Sequence, residues 1–198
     1  LWHQWNDLHG KSDFYDVDAF KAGKDMLKEI EAKEVGDVKG KRMLHLQCHF
    51  RIDSLCWARR GASVVGVDFC SQSIEEAKKL NENLGLNASF VCSDIYTLKE
   101  VLKEEKEQFD IVYTSYGVID WLPDLNEWSS VIAYFLKPKG FFYIVEFHQF
   151  MKVLDDNFER VVYSYINTEI IESDVKGSYA VPEPGISKKE YTWNHSFS

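Results

Sequence analysis

Apolar and polar positions follow two periods along this chain. Short apolar runs at Met43–Leu46, Val64–Val67, Ala88–Cys92, Phe109–Tyr113 and Phe141–Phe147 have the length and the β-branched or aromatic character of buried strands. Between them lie segments of helical period. Ile52–Arg60 is amphipathic and ends at Gly61. Ser73–Leu84 carries the stripe Ile74, Ala77, Leu80 and Leu84, with Ser73 and Glu76 spaced as a capping box and Gly85 as a stop. Thr97–Glu107 turns Leu98, Val101 and Leu102 inward, and Leu125, Trp128, Ile132 and Phe135 mark a further helix. Lys137–Gly140 reads as the turn before the last strand. Ahead of the first strand, residues 18–34 predict one helix with Ala19, Met26, Leu27 and Ile30 on one face, broken by Gly36 and Gly40.

Strands alternating with helices predict an α/β fold, a Rossmann-like, doubly wound and mostly parallel sheet with helices on both faces. In such a sheet the ligand crevice lies at the carboxyl ends of the strands, where strand order reverses. That edge collects residues 47–52, 68–70, 93–95, 114–120 and His148. From Arg160 the pattern changes. Residues 160–171 alternate at strand period with no helix after them, and Lys189–Trp193 is a second extended piece beyond the Pro182–Gly185 loop. These predict a C-terminal antiparallel addition, a cover over the substrate, with Asn194–Ser196 as a helix cap. Residues 1–20, rich in aromatic and polar groups, read either as an arm packed on the domain or as a lid over a ligand. The chain is expected to be a single domain over 1–198, with an N-terminal arm and helix at 1–35, a cofactor-binding core at 40–147 and the addition at 150–198.

Composition narrows this little. Of 198 residues, 45% are hydrophobic and 28% charged, which are globular values. The net charge of −9 argues against a polyphosphate partner but not against a cationic small molecule. Cys48, Cys56, Cys70 and Cys92 show no metal-site spacing and read as small buried hydrophobes of a reducing cytoplasm. No metal, nucleic acid or membrane partner is expected, no signal peptide is visible, and oligomeric state is unassigned. The first residue is not Met and the last follows a helix start, so the chain is expected to be part of a longer protein.

Asp68 is the most informative single residue. It ends the second strand about 20 residues beyond the first loop, where a carboxylate accepts both hydrogen bonds of a ribose diol; the alternative is a cap for the next helix. The loop itself, Gln47-Cys48-His49-Phe50-Arg51-Ile52, contains no glycine. A pyrophosphate site needs glycines for close backbone approach. The pattern therefore favours a nucleoside cofactor without phosphates over a nicotinamide dinucleotide.

Leu44-His45-Leu46-Gln47-Cys48-His49 with Asp53 and Ser54 after it, Gly66-Val67-Asp68-Phe69, Cys92-Ser93-Asp94-Ile95, Phe109–Tyr113 and Leu136–Gly140 stand in an order and spacing that resembles the class I S-adenosylmethionine-dependent methyltransferases. The first run resembles a bacterial branch in which His-Leu-Gln-Cys-His replaces Asp-Leu-Gly-Cys-Gly. The resemblance covers about residues 40–147. It implies S-adenosyl-L-methionine as cofactor, with Asp68 on the ribose and Asp94 at the adenine amino group. Gln47, His49, Phe69 and Ile95 would line the site, and Tyr15 or Trp5 would close over it. It also implies a methyl acceptor, read here as a small molecule. After the fourth strand the chain reads Thr114-Ser115-Tyr116-Gly117, not the Asn/Asp-Pro-Pro-Tyr run of enzymes that methylate DNA-base amines. Tyr116, Trp121 and Glu146 are the substrate-side candidates, Glu146 either binding an amine or being buried and paired. Tyr113 and Tyr116 either face the sulfonium through their rings or simply pack. His148 is the candidate general base, or a loop histidine bonded to backbone.

Three departures from the family pattern stand out. Arg51 occupies a position where the branch keeps glycine, so its side chain either crowds the methionine tail or pairs with the tail's carboxylate. If it crowds, the chain is a methyltransferase-like binding or regulatory protein without turnover. Cys70 stands where a serine often caps the helix, leaving Ser71 or Ser73 to do so. The family fold also continues with a further helix and two strands, so a segment beyond the C-terminus is expected.

Overall fold

The computed structural model describes residues 16–49, 51–155, 157–176 and 187–196. Five strands form one sheet: β1 (Arg42–Leu46), β2 (Ser63–Asp68), β3 (Ala88–Cys92), β4 (Phe109–Ser115) and β5 (Leu136–Val145). Their order is β3-β2-β1-β4-β5 and every pairing is parallel. Alternation along each strand sends side chains to two cores. Leu44 and Leu46 of β1 and Val112 of β4 pack under α6 (Leu125–Phe135) and the short α5 (Leu98–Val101), against Trp128, Val131 and Phe135. Met43, Ile111 and Tyr113 face the opposite side, where Trp57 and Ala58 of α3 (Ile52–Arg59) cover them. α4 (Ser71–Leu84) lies on that same side through Ile74, Ala77 and Leu80. The doubly wound α/β sheet is therefore present, and strand order reverses between β1 and β4.

Several predicted elements differ in detail. The single helix over 18–34 is two, α1 (Val17–Lys21) and α2 (Glu29–Val35). Gly23 between them takes φ +105°, a conformation costly for other residues, and Asp25 caps the turn by accepting from the Leu27 amide at 3.1 Å. The second piece is thereby rotated: Ile30 is 52% exposed and Glu31 is buried in its place. In the predicted helix over 97–107 only Leu98–Val101 is α-helical, between 3-10 turns, and Val101 is exposed. α4 starts at Ser71 with Cys70 at its N-cap, and Glu76 carries an ion pair with Arg51. β5 begins at Leu136, five residues before the predicted start, with a register shift between Phe109 and Ile111 that absorbs the Lys137–Gly140 segment.

The largest difference is downstream. Residues 160–170 form no strand; Val161, Val162, Ile166 and Ile170 are exposed, and the one bridge there joins Leu154 to Val161. Alternation encodes a face, but a strand also needs a partner. The antiparallel pair is instead β6 (Ile171–Lys176) with β7 (Ser187–Thr192), a hairpin separate from the main sheet. Beyond it, Asn194 and His195 staple this segment to the rest of the chain. The Trp193 amide donates to the Asp120 carbonyl at 2.8 Å, the His195 Nε2–H donates to the Leu122 carbonyl at 2.8 Å, and Asn194 reaches the Ser164 and Tyr165 carbonyls.

One buried polar residue in this scaffold sets its acid limit. His45 is 2% exposed, with Nδ1 2.7 Å from Ser54 Oγ and its ring edge-on to Tyr113. Burial lowers its pKa from 6.5 to about 3. Between those values the unfolded chain binds a proton that the folded chain refuses. Stability therefore falls as pH drops through this window, by at most about 1.4 kcal/mol per pH unit from this group. Urea midpoints measured from pH 7 to pH 4 should drop less steeply in His45→Gln than in the parent; parallel curves would remove His45 as the cause.

Candidate active site

The loop after β1 departs furthest from ordinary backbone. Gln47, His49 and Arg51 have φ of 54°, 34° and 64°, left-handed values that glycine adopts freely and that cost other residues about 1 kcal/mol each. A dense set of bonds holds them. The Cys48 amide donates to the Val67 carbonyl and the Arg51 amide to the Cys48 carbonyl, both at 2.9 Å. Gln47 Oε1 accepts from Trp128 Nε1 at 3.1 Å. Arg51, only 7% exposed, is turned onto Glu76 of α4 at 3.0 Å. Burial lowers its pKa and the Glu76 charge opposes that shift.

Asp68 ends β2 at the same edge and is 7% exposed. Its Oδ2 accepts from the His49 amide and its Oδ1 from the Cys70 amide, both at 2.9 Å. These two amides orient the carboxylate. Phe69, next along, is 51% exposed beside this buried acid. Asp94 follows β3 and is exposed; its Oδ1 accepts from the Tyr96 amide at 2.8 Å and caps the turn that buries Ile95. Gly66 has no room for a side chain, since a Cβ there would lie 2.7 Å from the Phe90 ring. This donor set suits an adenosine: an oriented acid for a diol, an exposed ring and a second acid beyond it, with no glycine cradle for a pyrophosphate.

β4 supplies the other wall, across the point where strand order reverses. Thr114 Oγ1 donates to the Leu46 carbonyl at 3.2 Å, and Ser115 Oγ donates to Asp53 Oδ2 at 3.1 Å. Tyr116, at φ 50°, lies 6.2 Å from the Phe147 ring and has the Lys28 ammonium 3.6 Å from its own ring centroid. Glu146 is a hub rather than a projecting acid. Its carboxylate accepts from the amides of Gly117, Val118 (2.6 Å), Ile119 (3.2 Å) and Phe147 (2.7 Å). Trp121 ends the 3-10 turn that follows and is partly buried. His148 Nδ1 accepts from the Phe150 amide at 3.1 Å. That bond engages the Nδ1 lone pair. Trp5 and Tyr15 lie outside the described residues.

Sequence reasoning gave no role to Glu31 and Asp53, the two acids that interact electrostatically with Tyr116. Glu31 is 1% exposed; it accepts from the Lys28 amide at 2.8 Å and from Tyr113 Oη at 3.2 Å. Burial, and then the Glu31 charge, raise the Asp53 pKa from 3.8 to about 6. Burial and Glu31 likewise raise the Tyr116 phenol. The signal was thin: Asp53 stands in the first turn after the cofactor loop, and Glu31 sits where a helix face had been drawn through Ile30. Of the four cysteines, Cys48, Cys56 and Cys70 are buried and Cys92 is exposed. Among the described residues no helix is long and apolar enough to cross a membrane, and no three His, Cys, Asp or Glu side chains converge on a metal position.

Comparison with known proteins agrees with this architecture. Residues 44–140 match the family model described as a methyltransferase domain. A ubiquinone biosynthesis O-methyltransferase of Coxiella burnetii is 29% identical over 134 residues, 68% of this chain and 52% of that protein. One from Idiomarina loihiensis is 32% identical over 51% of this chain and 40% of its own length. The chain thus spans about half the length of the curated relatives it matches. Among solved structures, a TehB-like SAM-dependent methyltransferase from Corynebacterium glutamicum superposes with a TM-score of 0.52 at 20% identity, covering 65% of this chain and 66% of that one. A geranyl diphosphate C-methyltransferase from Streptomyces coelicolor, crystallised with S-adenosyl-L-homocysteine, gives 0.53 at 14% identity, covering 60% and 42%. Likenesses at this identity establish the shared fold.

Proposed function

We propose that this chain, whose residues 44–140 match the methyltransferase-domain family model, is an S-adenosylmethionine-dependent methyltransferase acting on a small molecule. The observation that carries the reading is the Asp68 carboxylate, oriented by the amides of His49 and Cys70 next to the exposed Phe69 ring. In this reading Asp68 binds the ribose diol, Phe69 and Ile95 flank the adenine, and Asp94 meets its amino group. Gln47 and His49 line the methionine side. When bound, the cofactor supplies an electrophilic methyl carbon on a sulfonium. The chain's part is to align the acceptor and exclude water, since displacement at carbon is governed largely by geometry. Tyr116 and Trp121 belong to the acceptor side. Glu146 shapes that wall through the backbone, and His148, with Nδ1 engaged, shapes the loop after β5. We assign the chain to the cytoplasm, in keeping with cysteines of which three, Cys48, Cys56 and Cys70, are buried as small hydrophobes.

The alternative of a methyltransferase-like protein without turnover rested on Arg51. Its ion pair with Glu76 gives that alternative no support. Calorimetry decides the matter. S-adenosylmethionine and S-adenosylhomocysteine should bind with micromolar Kd while NAD does not, and Arg51→Gly should shift the cofactor Kd by no more than about threefold. A Kd above about 1 mM in the unaltered protein, together with a gain of tenfold or more in Arg51→Gly, would reverse the assignment.

A further inference from the structure

The acceptor wall already holds a cation. The Lys28 ammonium sits 3.6 Å from the Tyr116 ring centroid, within the range of a cation–π contact. Lys28 is itself exposed and lies outside α2, so its long side chain is not confined to this position by burial. Two carboxylates from different helices, Glu31 of α2 and Asp53 of α3, interact electrostatically with this pair: Glu31 with Tyr116 and Asp53, and Asp53 with Tyr116 and Lys28. Glu31 also accepts from Tyr113 Oη at 3.2 Å. Ser115 ties Asp53 to the end of β4, where strand order reverses and the crevice of a doubly wound sheet lies. An aromatic face with negative charge nearby suits a group that is cationic and apolar at once. It suits a phenol or catechol poorly, because the oxyanion formed on deprotonation would face two acids.

We propose that the Tyr116 ring, with Asp53 and Glu31, is the acceptor subsite for an ammonium group, so that the methyl acceptor is an amine whose charged nitrogen displaces Lys28. This deepens the methyltransferase reading and rests on it. The chemistry balances. The acceptor's N–H proton passes to a carboxylate oxygen of Asp53 and on to water. The freed nitrogen lone pair forms the N–C bond as the C–S bond breaks, and that bonding pair stays on sulfur. With a tertiary amine as acceptor the product is a quaternary ammonium that keeps its place on the ring face. Lys28 then acts as a resident competitor that closes the subsite when no amine is present.

Choline and its neutral carbon isostere, 3,3-dimethylbutan-1-ol, separate charge from shape. In full-length protein observed by NMR, choline should perturb the Tyr116 ring resonances and the isostere should not. Lys28→Ala should strengthen choline binding about threefold, and Asp53→Asn should weaken it about tenfold. With isotopically labelled methyl donor, N,N-dimethylethanolamine should gain label at nitrogen, and catechol should not be labelled. Equal binding of choline and its isostere, or unchanged choline affinity in folded Lys28→Ala, overturns the subsite. Cofactor calorimetry on the same samples keeps the two readings apart. Cofactor binding without choline binding removes the amine subsite and leaves the methyltransferase standing. Choline binding without cofactor binding does the reverse.

Discussion

Asp68→Ala should lower the affinity for S-adenosylmethionine by at least about a hundredfold. Two hydrogen bonds to a charged group contribute roughly 1.5–3 kcal/mol each, and about 3 kcal/mol already corresponds to that factor. The structure adds a second loss. Asp68 also accepts the His49 and Cys70 amides, so alanine strands two donors at the crevice floor. His49 sits at φ 34° and depends on such bonds to stay there. The expected result is lost cofactor binding together with a destabilisation of about 2 kcal/mol, the cost of buried amides left unpaired. Asp68→Asn separates the effects. It keeps the volume and one acceptor oxygen, but presents an amide where an N–H already points. It should recover part of the stability and little of the affinity. Calorimetry for the cofactor and urea unfolding for the chain give the two readouts. A folded Asp68→Ala protein with a Kd within threefold of the parent would remove Asp68 from the ribose.

The sheet was legible because its strands are apolar on both faces and punctuated by turns; runs such as Val64–Val67 admit few other readings. Asp68 was legible for a related reason, since the end of a strand is a defined place on a known edge. Helices were read less well wherever a polar residue outcompeted the apolar stripe. Gly23 and the Asp25 turn rotate α2, so Glu31 rather than Ile30 is buried, and no periodicity argument anticipates a buried acid. Residues 160–171 mislead in another way: their alternation is real, but nothing pairs with it. The cluster proposed as the acceptor subsite was hidden because Lys28 with Glu31, Asp53, and Tyr116 come from three stretches of sequence that only the fold brings together. Arg51 gained meaning in the same way. Its position in the loop suggested either crowding of the methionine tail or pairing with the tail's carboxylate, and the partner it has, Glu76, is 25 residues away in sequence.

Glu146→Ala should be among the most destabilising single changes at this edge, by about 3 kcal/mol. The carboxylate gathers the amides of Gly117, Val118, Ile119 and Phe147, so its removal leaves four donors without their acceptor. Partial solvent access lets water satisfy some of them, which keeps the sum well below four full penalties of roughly 1–3 kcal/mol each. The loop it holds includes Tyr116 at φ 50° and Gly117 at φ 75°. Without the hub, Tyr116 is free to relax toward ordinary backbone and its ring leaves the acceptor wall. Asp68 stands on β2, beyond both β4 and β1, and its amide partners do not involve Glu146. Cofactor affinity should therefore change less than threefold while acceptor binding is lost. Glu146→Gln keeps one carbonyl oxygen for the same amides and should recover about half of the stability. Unfolding midpoints and cofactor calorimetry on both variants test this. If Glu146→Ala unfolds at the parent's denaturant concentration, the four amides do not depend on this carboxylate. If it loses cofactor and acceptor alike, the two walls of the crevice are one cooperative unit rather than two.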